Sequence, residues 1–457
     1  MTSILYLADT VVTMNARNDV FTEGAVLVTG KSIDAVGDAP TLKARYPDAE
    51  VVNLDRTLLM PGLVNTHCHS GLLRGTAEGL PVWAWLQQYI DPMHRVILAG
   101  EAALASRLCY AEALLSGTTT IVDMWRHMHG SAEAAENLGI RAVLVPYVAE
   151  HPDHDYFETL DANEQLINDW HQRRSDRISV WVGLEHMFYA LPAAMKRISA
   201  ICENYQVGFH THSNESRFDV EKTIERYGIR PVQVLEQVGL LATPRTLLAH
   251  CVWLDDVEIQ LLADYGVGVA HNPVSNMKLA SGAARVGAML AKGIAVGLGT
   301  DGEKENNNLD MFEELKTASL LAKHSSADAA ALDAWAICRM ATIDGARALG
   351  MEDSIGSLEV GKRADMIGIR TNTPRMTPLI TSGDYMNLHH NLVHAAQGGD
   401  VAMTMVDGVV LVRDGALLHE DINETIRAAN LAIGPLLGRR DAWIAGAGTA
   451  VNELEKS

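Results

Sequence analysis

No stretch of about 18 consecutive apolar residues occurs in the chain, so no membrane-spanning helix is expected. The first residues, Met1 to Val12, lack the basic start and long apolar segment of a signal peptide. Cysteine is scarce: Cys68, Cys109, Cys202, Cys251 and Cys338 are the 5 in 457 residues. They are odd in number, scattered through apolar or helical stretches, and never spaced Cys-x-x-Cys. That suits reduced thiols in a cytoplasm, not a disulfide framework. Basic residues are outnumbered, 37 Lys and Arg against 57 Asp and Glu, for a net charge of −20. A phosphate backbone needs clustered Lys and Arg, so the charge argues against nucleic acid as a partner, while saying little about the small-molecule substrate that is expected. His-Glu-x-x-His, G-x-S-x-G and the phosphate-cradling G-x-x-x-x-G-K-[ST] are all absent, as are internal repeats and low-complexity segments. What remains, 48% hydrophobic and 21% charged, is the composition of a soluble globular enzyme. Its length allows one large domain and a smaller one.

The chain is organised around Pro61–His69. Pro61-Gly62 makes a turn, and Leu63 and Val64 open a short apolar run that reads as a buried strand ending on His67 and His69. Side chains alternate along a strand, so a His-x-His pair points both imidazoles the same way. Two converging neutral imidazoles are half of a zinc or iron site, although an isolated pair is as readily buried without an ion.

Before this point, residues 1–60 read as short strands, too thin to bury a core alone. After it, strand-like and helical stretches alternate, the pattern of a parallel α/β fold. Eight strands are expected, at 63–67, 118–123, 141–148, 178–186, 207–212, 246–251, 267–271 and 294–301. Their span approaches the roughly 250 residues of a (β/α)8 barrel. The β texture returns after residue 355. The expected organisation is therefore a barrel over 61–354, one discontinuous β-domain from 1–60 plus 355–420, and a helical segment at 421–457.

Active sites of such barrels lie at the C-terminal strand ends. Those ends carry His67 and His69, Glu185 and His186, His210 and His212 with Glu215 close behind, then His250, His271 and Asp301. A random scatter of 18 histidines would not fall on strand ends this often. His67, His69, His212 and Asp301 make a three-His, one-carboxylate set with room for water. A divalent ion there would bring the pKa of that water toward neutrality. Asp301 could also take the water proton, Glu215 carry a proton to substrate, and His250 stabilise developing charge. Plainer expectations cover the rest. His210 lies deeper on its strand and reads as a core histidine, and His271 as local packing. The pairs His127/His129 and His389/His390 read as solvated loop residues. Trp83 and Trp85 read as structural aromatics or as a substrate wall. Gly297–Gly302 fits G-x-G-x-x-G, but no further parallel strand follows it, so no dinucleotide fold is expected.

Pro61–His69, His212 with Glu215, Ala249–Val252, His271–Leu279, Gly299–Gly302 and Gly361–Asp365 together resemble the amidohydrolase superfamily. The resemblance is to its mononuclear chlorohydrolase and aminohydrolase branch, the triazine hydrolase and methylthioadenosine/S-adenosylhomocysteine deaminase group, and runs to about residue 415. It implies a (β/α)8 barrel with a β-sandwich built from both termini, one catalytic Zn²⁺ or Fe²⁺, and hydrolytic removal of an amine or halide from a nitrogen-rich carbon. Deamination leads; loss of chloride from a triazine, or of an amine from a substituted urea, is the alternative. A homodimer or larger homo-oligomer is also expected.

Trp85 and Leu86 match the family, and His186 matches a substrate-contacting histidine. His94, however, stands where nucleoside-deaminating relatives carry a ribose-binding Glu. Glu305 stands where a small serine is usual. Trp85, His94, His186 and Glu305 are thus the substrate-contact candidates, and the departures point away from an adenosine derivative. A binuclear site usually needs a carboxylated lysine at a strand end. The only lysine between His69 and His212 is Lys196, in a helical stretch, although Glu185 could bridge two ions instead. Metal analysis is expected to find about one ion per chain; two ions in active protein would contradict the mononuclear reading.

Overall fold

The computed structural model describes residues 2–173 and 175–454. Among the described residues, seventeen strands form three sheets. Four strands precede the site: β1 (Ser3–Val12), β2 (Val20–Thr29), β3 (Ser32–Asp38) and β4 (Glu50–Pro61). Nine short strands follow: β5 (Leu63–Cys68), β6 (Thr118–Trp125), β7 (Arg141–Pro146), β8 (Ile178–Val180), β9 (Val182–Leu184), β10 (Phe209–Ser213), β11 (Thr246–His250), β12 (Gly268–His271) and β13 (Val296–Leu298). The last four are β14 (Met366–Arg370), β15 (Val401–Val406), β16 (Val409–Arg413) and β17 (Ala416–Leu417).

The N- and C-terminal strands share one sheet, ordered β17-β16-β15-β14-β4-β1-β2-β3. The junction is an antiparallel ladder in which Pro61 of β4 pairs with Met366 of β14. Alternation along β1 buries Leu5 and Leu7 with Leu27 and Leu42 on one face, and Tyr6 and Ala8 with Val26 and Met405 on the other.

The central strands are parallel and form two arcs, β5-β6-β7-β8 and β13-β12-β11-β10-β9. Every residue of β5, β6 and β7 is buried, as parallel strands covered on both faces require. No continuous ladder closes the arcs into a ring among the described residues. At one junction the Asp301 N–H donates to His67 O (3.0 Å) and Thr66 Oγ1 to Leu298 O (2.9 Å). At the other, the strand expected over 178–186 divides into β8 and β9. The backbone changes partner there, Trp181 N–H donating to Leu144 O (2.9 Å) and Val182 N–H to Gly208 O (2.8 Å). The cause is local: the buried Trp181 ring lies over Gly208, where even a Cβ would come within 2.4 Å of it.

Further differences from the expected layout follow β5 and residue 387. After β5 the chain runs through helix Val82–Trp85, a π-helical turn Leu86–Ile90 and helix Asp91–His94. The long helices Ala99–Leu115 and Ile422–Leu454 pack on each other, and the second also packs on Asp91–His94. His389 and His390 lie on helix Leu388–His394, not in a loop, and His389 stacks on Trp335 (4.8 Å between centroids). None of the described helices is long and apolar enough to cross a membrane.

A buried ion cluster ties the sheet to the arcs. Arg141, the first residue of β7, donates to Asp365 (2.8 and 3.1 Å) and to Asp407 (2.6 Å). Side-chain exposures of 7%, 2% and 4% mean that removing the guanidinium strands Asp365 away from water and leaves Asp407 only Lys31 (3.3 Å) and Arg363 (3.8 Å). Breaking a buried pair costs about 3–5 kcal/mol. Arg141→Met should therefore lower unfolding free energy by about that amount in a urea titration; a loss below about 1 kcal/mol would show that the cluster does not hold the two parts together.

Candidate metal centre

His67 lies on β5, His69 just beyond its end, His210 and His212 on β10, His250 at the end of β11, and Asp301 just past β13. All six are buried. The ligand atoms of His67, His69 and His212 lie within 4.8 Å of one another, as do those of His67, His250 and Asp301. Asp301 Oδ1 is 3.4 Å from His69 Nε2 and 3.6 Å from His67 Nε2. His250 and Asp301 hold left-handed backbone conformations (φ 71° and 60°), a strain that non-glycine residues keep where surroundings over-determine them, often at functional sites.

Backbone carbonyls fix the tautomers. His69 Nδ1–H donates to Met124 O (2.6 Å) and His212 Nδ1–H to Glu185 O (2.7 Å), so both Nε2 atoms carry lone pairs. His210 Nδ1–H donates to Leu247 O (2.9 Å), which leaves His210 Nε2 an acceptor. That acceptor takes the Nδ1–H of His67 (2.8 Å), and His67 Nε2 is in turn a lone pair with no protein partner. Burial lowers the pKa of every member, His69 to about 3 and His210 to about 4, with His67 and His212 well below the ordinary value. All four are neutral.

Two bare nitrogens, His69 Nε2 and His212 Nε2, then face each other at 3.1 Å with no proton to share. Such an arrangement is repulsive unless a cation lies between the lone pairs and the Asp301 carboxylate, whose pKa is lowered by His250, His69 and a hydrogen bond from Ser275 against the opposing effect of burial. The donor set fits a divalent ion.

Around it, His250 Nδ1–H donates to Asn276 Oδ1 (2.9 Å), and Nε2 faces Asp301 Oδ2 (3.8 Å) and Glu215 Oε2 (4.0 Å). Asp301 Oδ2 accepts from Ser275 Oγ (2.6 Å). Burial raises the Glu215 pKa. His186 bonds Glu185 Oε2 through Nδ1 (2.6 Å). Burial alone would depress its pKa, but Glu185, with Asp219 and Glu215, raises it to about 9. Glu185 also accepts from Tyr147 (3.2 Å). A third trio within 4.8 Å, Glu185, His186 and His212, shares His212 with the first.

A cavity of about 20 Å³ opens over this cluster. Of the substrate-contact candidates, Trp85, His186 and Glu305 line it and His94 does not. His94 is buried between the rings of Trp125 and Tyr147 (5.6 and 5.0 Å), with neither ring nitrogen partnered. Trp83 stacks near His186, Phe188 and Phe218, each about 5 Å away, and donates to Ser216 Oγ (2.9 Å). His271 is buried and outside the lining. Sequence reasoning missed Tyr147, Ser275, Asn276 and the structural part of His210. Ser275 and Asn276 lay within the 271–279 motif, while nothing distinguished Tyr147.

Residues 58–411 match the model of the amidohydrolase family. The chain belongs to that family. A short stretch, 24–49, also matches a bacterial imidazolonepropionase-like composite domain. This amidohydrolase is 39% identical to a 5-methylthioadenosine/S-adenosylhomocysteine deaminase of Desulforudis audaxviator, over 89% of the chain and 93% of the relative. It is 38% identical to a 5'-deoxyadenosine deaminase of Methanothermobacter thermautotrophicus, over 91% and 95%. Among solved structures, an adenosine deaminase from Xanthomonas campestris with bound zinc superposes with a TM-score of 0.90 at 32% identity, covering 96% of this chain and 99% of that one. An atrazine chlorohydrolase of Arthrobacter aurescens complexed with zinc gives 0.84 at 25%, covering 94% and 99%. The amidohydrolase is accordingly a hydrolase of carbon–nitrogen bonds other than peptide bonds.

Its tautomer relay predicts that His210, which does not line the cavity over the site, matters to the ion. His210→Ala should weaken zinc binding about 10- to 100-fold in a chelator competition, the usual cost of losing such an outer partner. Unchanged affinity would mean that His67 is oriented by other means.

Proposed function

We propose that this amidohydrolase is an aminohydrolase that removes ammonia from a carbon of a small nitrogen-rich heterocycle, using one zinc ion. The observation that carries the reading is the convergence of lone-pair Nε2 atoms on Asp301, beneath a cavity that Glu215 also lines. His67, His69, His212 and Asp301 would hold the ion. When bound, the ion supplies Lewis-acid activation of water.

The remaining work falls to the protein. Asp301, held by Ser275 and faced by His250, accepts the water proton. Glu215, uncharged more readily than an exposed carboxylate because it is buried, delivers its proton to the ring nitrogen, and the proton that Asp301 took from water passes to the departing amine. His250, with its proton fixed on Nδ1 by Asn276, keeps Nε2 for the reacting oxygen. His186, positively charged at its raised pKa, offers an Nε2–H that no protein atom accepts. The mouth must open for any ring to enter, since 20 Å³ is far below the roughly 150 Å³ of a benzene-sized cavity. The segment Val82–His94, which contains the π-helical turn, is the element that would move.

Other features support the wider reading. The two parallel arcs, meeting at Asp301–His67 and at Trp181–Val182, support one (β/α)8 barrel over 61–354. The β4–β14 ladder supports a single β-sandwich domain from 1–60 and 355–420, with 421–457 as a helical appendage. Five buried, unpaired thiols support a cytoplasmic location. Exposed Ile426, Leu431, Trp443 and Ile444 on the last helix support a homo-oligomer.

Glu215→Gln should keep both fold and metal and lose about 10²- to 10⁴-fold in turnover. His212→Ala should lose the metal as well. Near-full turnover by Glu215→Gln would refute the role of Glu215, and release of chloride or a substituted amine in place of ammonia would refute the deaminase reading.

A further inference from the structure

The Glu305 carboxylate lines the cavity and is 5% exposed. Its Oε1 is 3.1 Å from Lys304 Nζ, itself buried and without a hydrogen-bond partner, so the two side chains pair by charge. Oε2 has no partner in the protein. It rests over Gly302, the residue after Asp301, so closely that a Cβ on that glycine would lie 2.1 Å from it. A buried carboxylate oxygen without a donor is costly, and such a group persists where a ligand supplies the hydrogen bond. Burial, opposed by Lys304 but reinforced by Asp301 and Glu303, raises the Glu305 pKa to about 8, so near neutral pH the carboxylate is favoured only once a donor such as a ligand N–H reaches it.

The proton supplier, Glu215, lines the same cavity. A reacting carbon flanked by one ring nitrogen and one carbon, as in an adenine-type ring, uses Glu215 and leaves Glu305 Oε2 unsatisfied. A reacting carbon flanked by two nitrogens, one bearing hydrogen, satisfies both. We propose that Glu305 is a specificity-determining residue that accepts this second N–H, and that the substrate is therefore a cyclic guanidine-type compound whose reacting carbon is bonded to three nitrogens. The proposal rests on the deaminase reading above and narrows its substrate class. Glu305 exchanges no atoms in it: water adds at the carbon, the exocyclic C–N bond breaks, and ammonia leaves.

Isocytosine and cytosine are isomers that separate the two classes, since each loses its amino group to give uracil. Pterin and adenosine make a second, larger pair. Zinc-loaded wild type, Glu305→Ser and Glu305→Gln would be compared for ammonia release and, independently, for equilibrium binding of the four compounds by calorimetry; Glu305→Gln keeps the volume and a partner for Lys304 should Glu305→Ser fail to fold. Wild type should favour isocytosine over cytosine, and pterin over adenosine, by at least about tenfold in binding and in kcat/KM, as one charge-assisted hydrogen bond allows. Either variant should shrink those ratios about tenfold or more, chiefly through KM. Ratios near one in wild type, or ratios untouched by the variants, overturn the proposal. A Glu305-dependent binding preference without ammonia release would sustain the role of Glu305 while refuting deamination.

Discussion

The hydrogen bond from His67 to His210 is the constraint on which the centre depends. Leu247 O takes the only N–H of neutral His210, so the facing nitrogen of His210 can only accept. His67 must then carry its proton on Nδ1 and turn a bare Nε2 inward. The same logic, run through Met124 O and Glu185 O, sets His69 and His212. Four backbone or ring acceptors thereby concentrate lone pairs at one buried point, which is stable only around a positive ion. The strand registers make this possible: β10 pairs with β11 so that His210 lies opposite Leu247.

The architecture serves that point. Parallel strands buried on both faces give rigid stems, and their C-terminal ends bring His67, His212, His250 and Asp301 together. Junction hydrogen bonds such as Asp301 N–H to His67 O set the spacing between the first and last stems directly. Farther out, Arg141 locks the arcs to the terminal sheet. Chemistry-bearing residues with raised carboxyl pKa, Glu215 and Glu305, sit on the rim where burial leaves them short of partners until substrate enters.

Much of this was legible in the chain. Histidines at strand ends and the paired β texture at both termini are local patterns, and each reflects a local cause, whereas the turn expected at Pro61-Gly62 is a one-residue break between β4 and β5. What was not legible depended on which atoms meet across the fold. His210 reads as a core histidine because its acceptor, Leu247 O, is 37 residues away in sequence. The division of 178–186 depends on where the Trp181 ring falls against Gly208. His94 was expected at the substrate by its position in the motif order, whereas the helical turn Asp91–His94 carries it behind Tyr147 and out of the cavity lining. The pairing of Lys304 with Glu305 joins neighbours in sequence, but adjacency alone does not say that both side chains point inward.

The central claim is that the neutral Nε2 atoms and one carboxylate of this chain enclose a single ion. X-ray absorption at the zinc edge of metal-loaded protein tests it most directly. The account predicts a nitrogen and oxygen shell at about 2.0–2.1 Å with the multiple-scattering signature of about three imidazoles. A sulfur shell near 2.3 Å, or a second metal at roughly 3.5–4 Å, would contradict it.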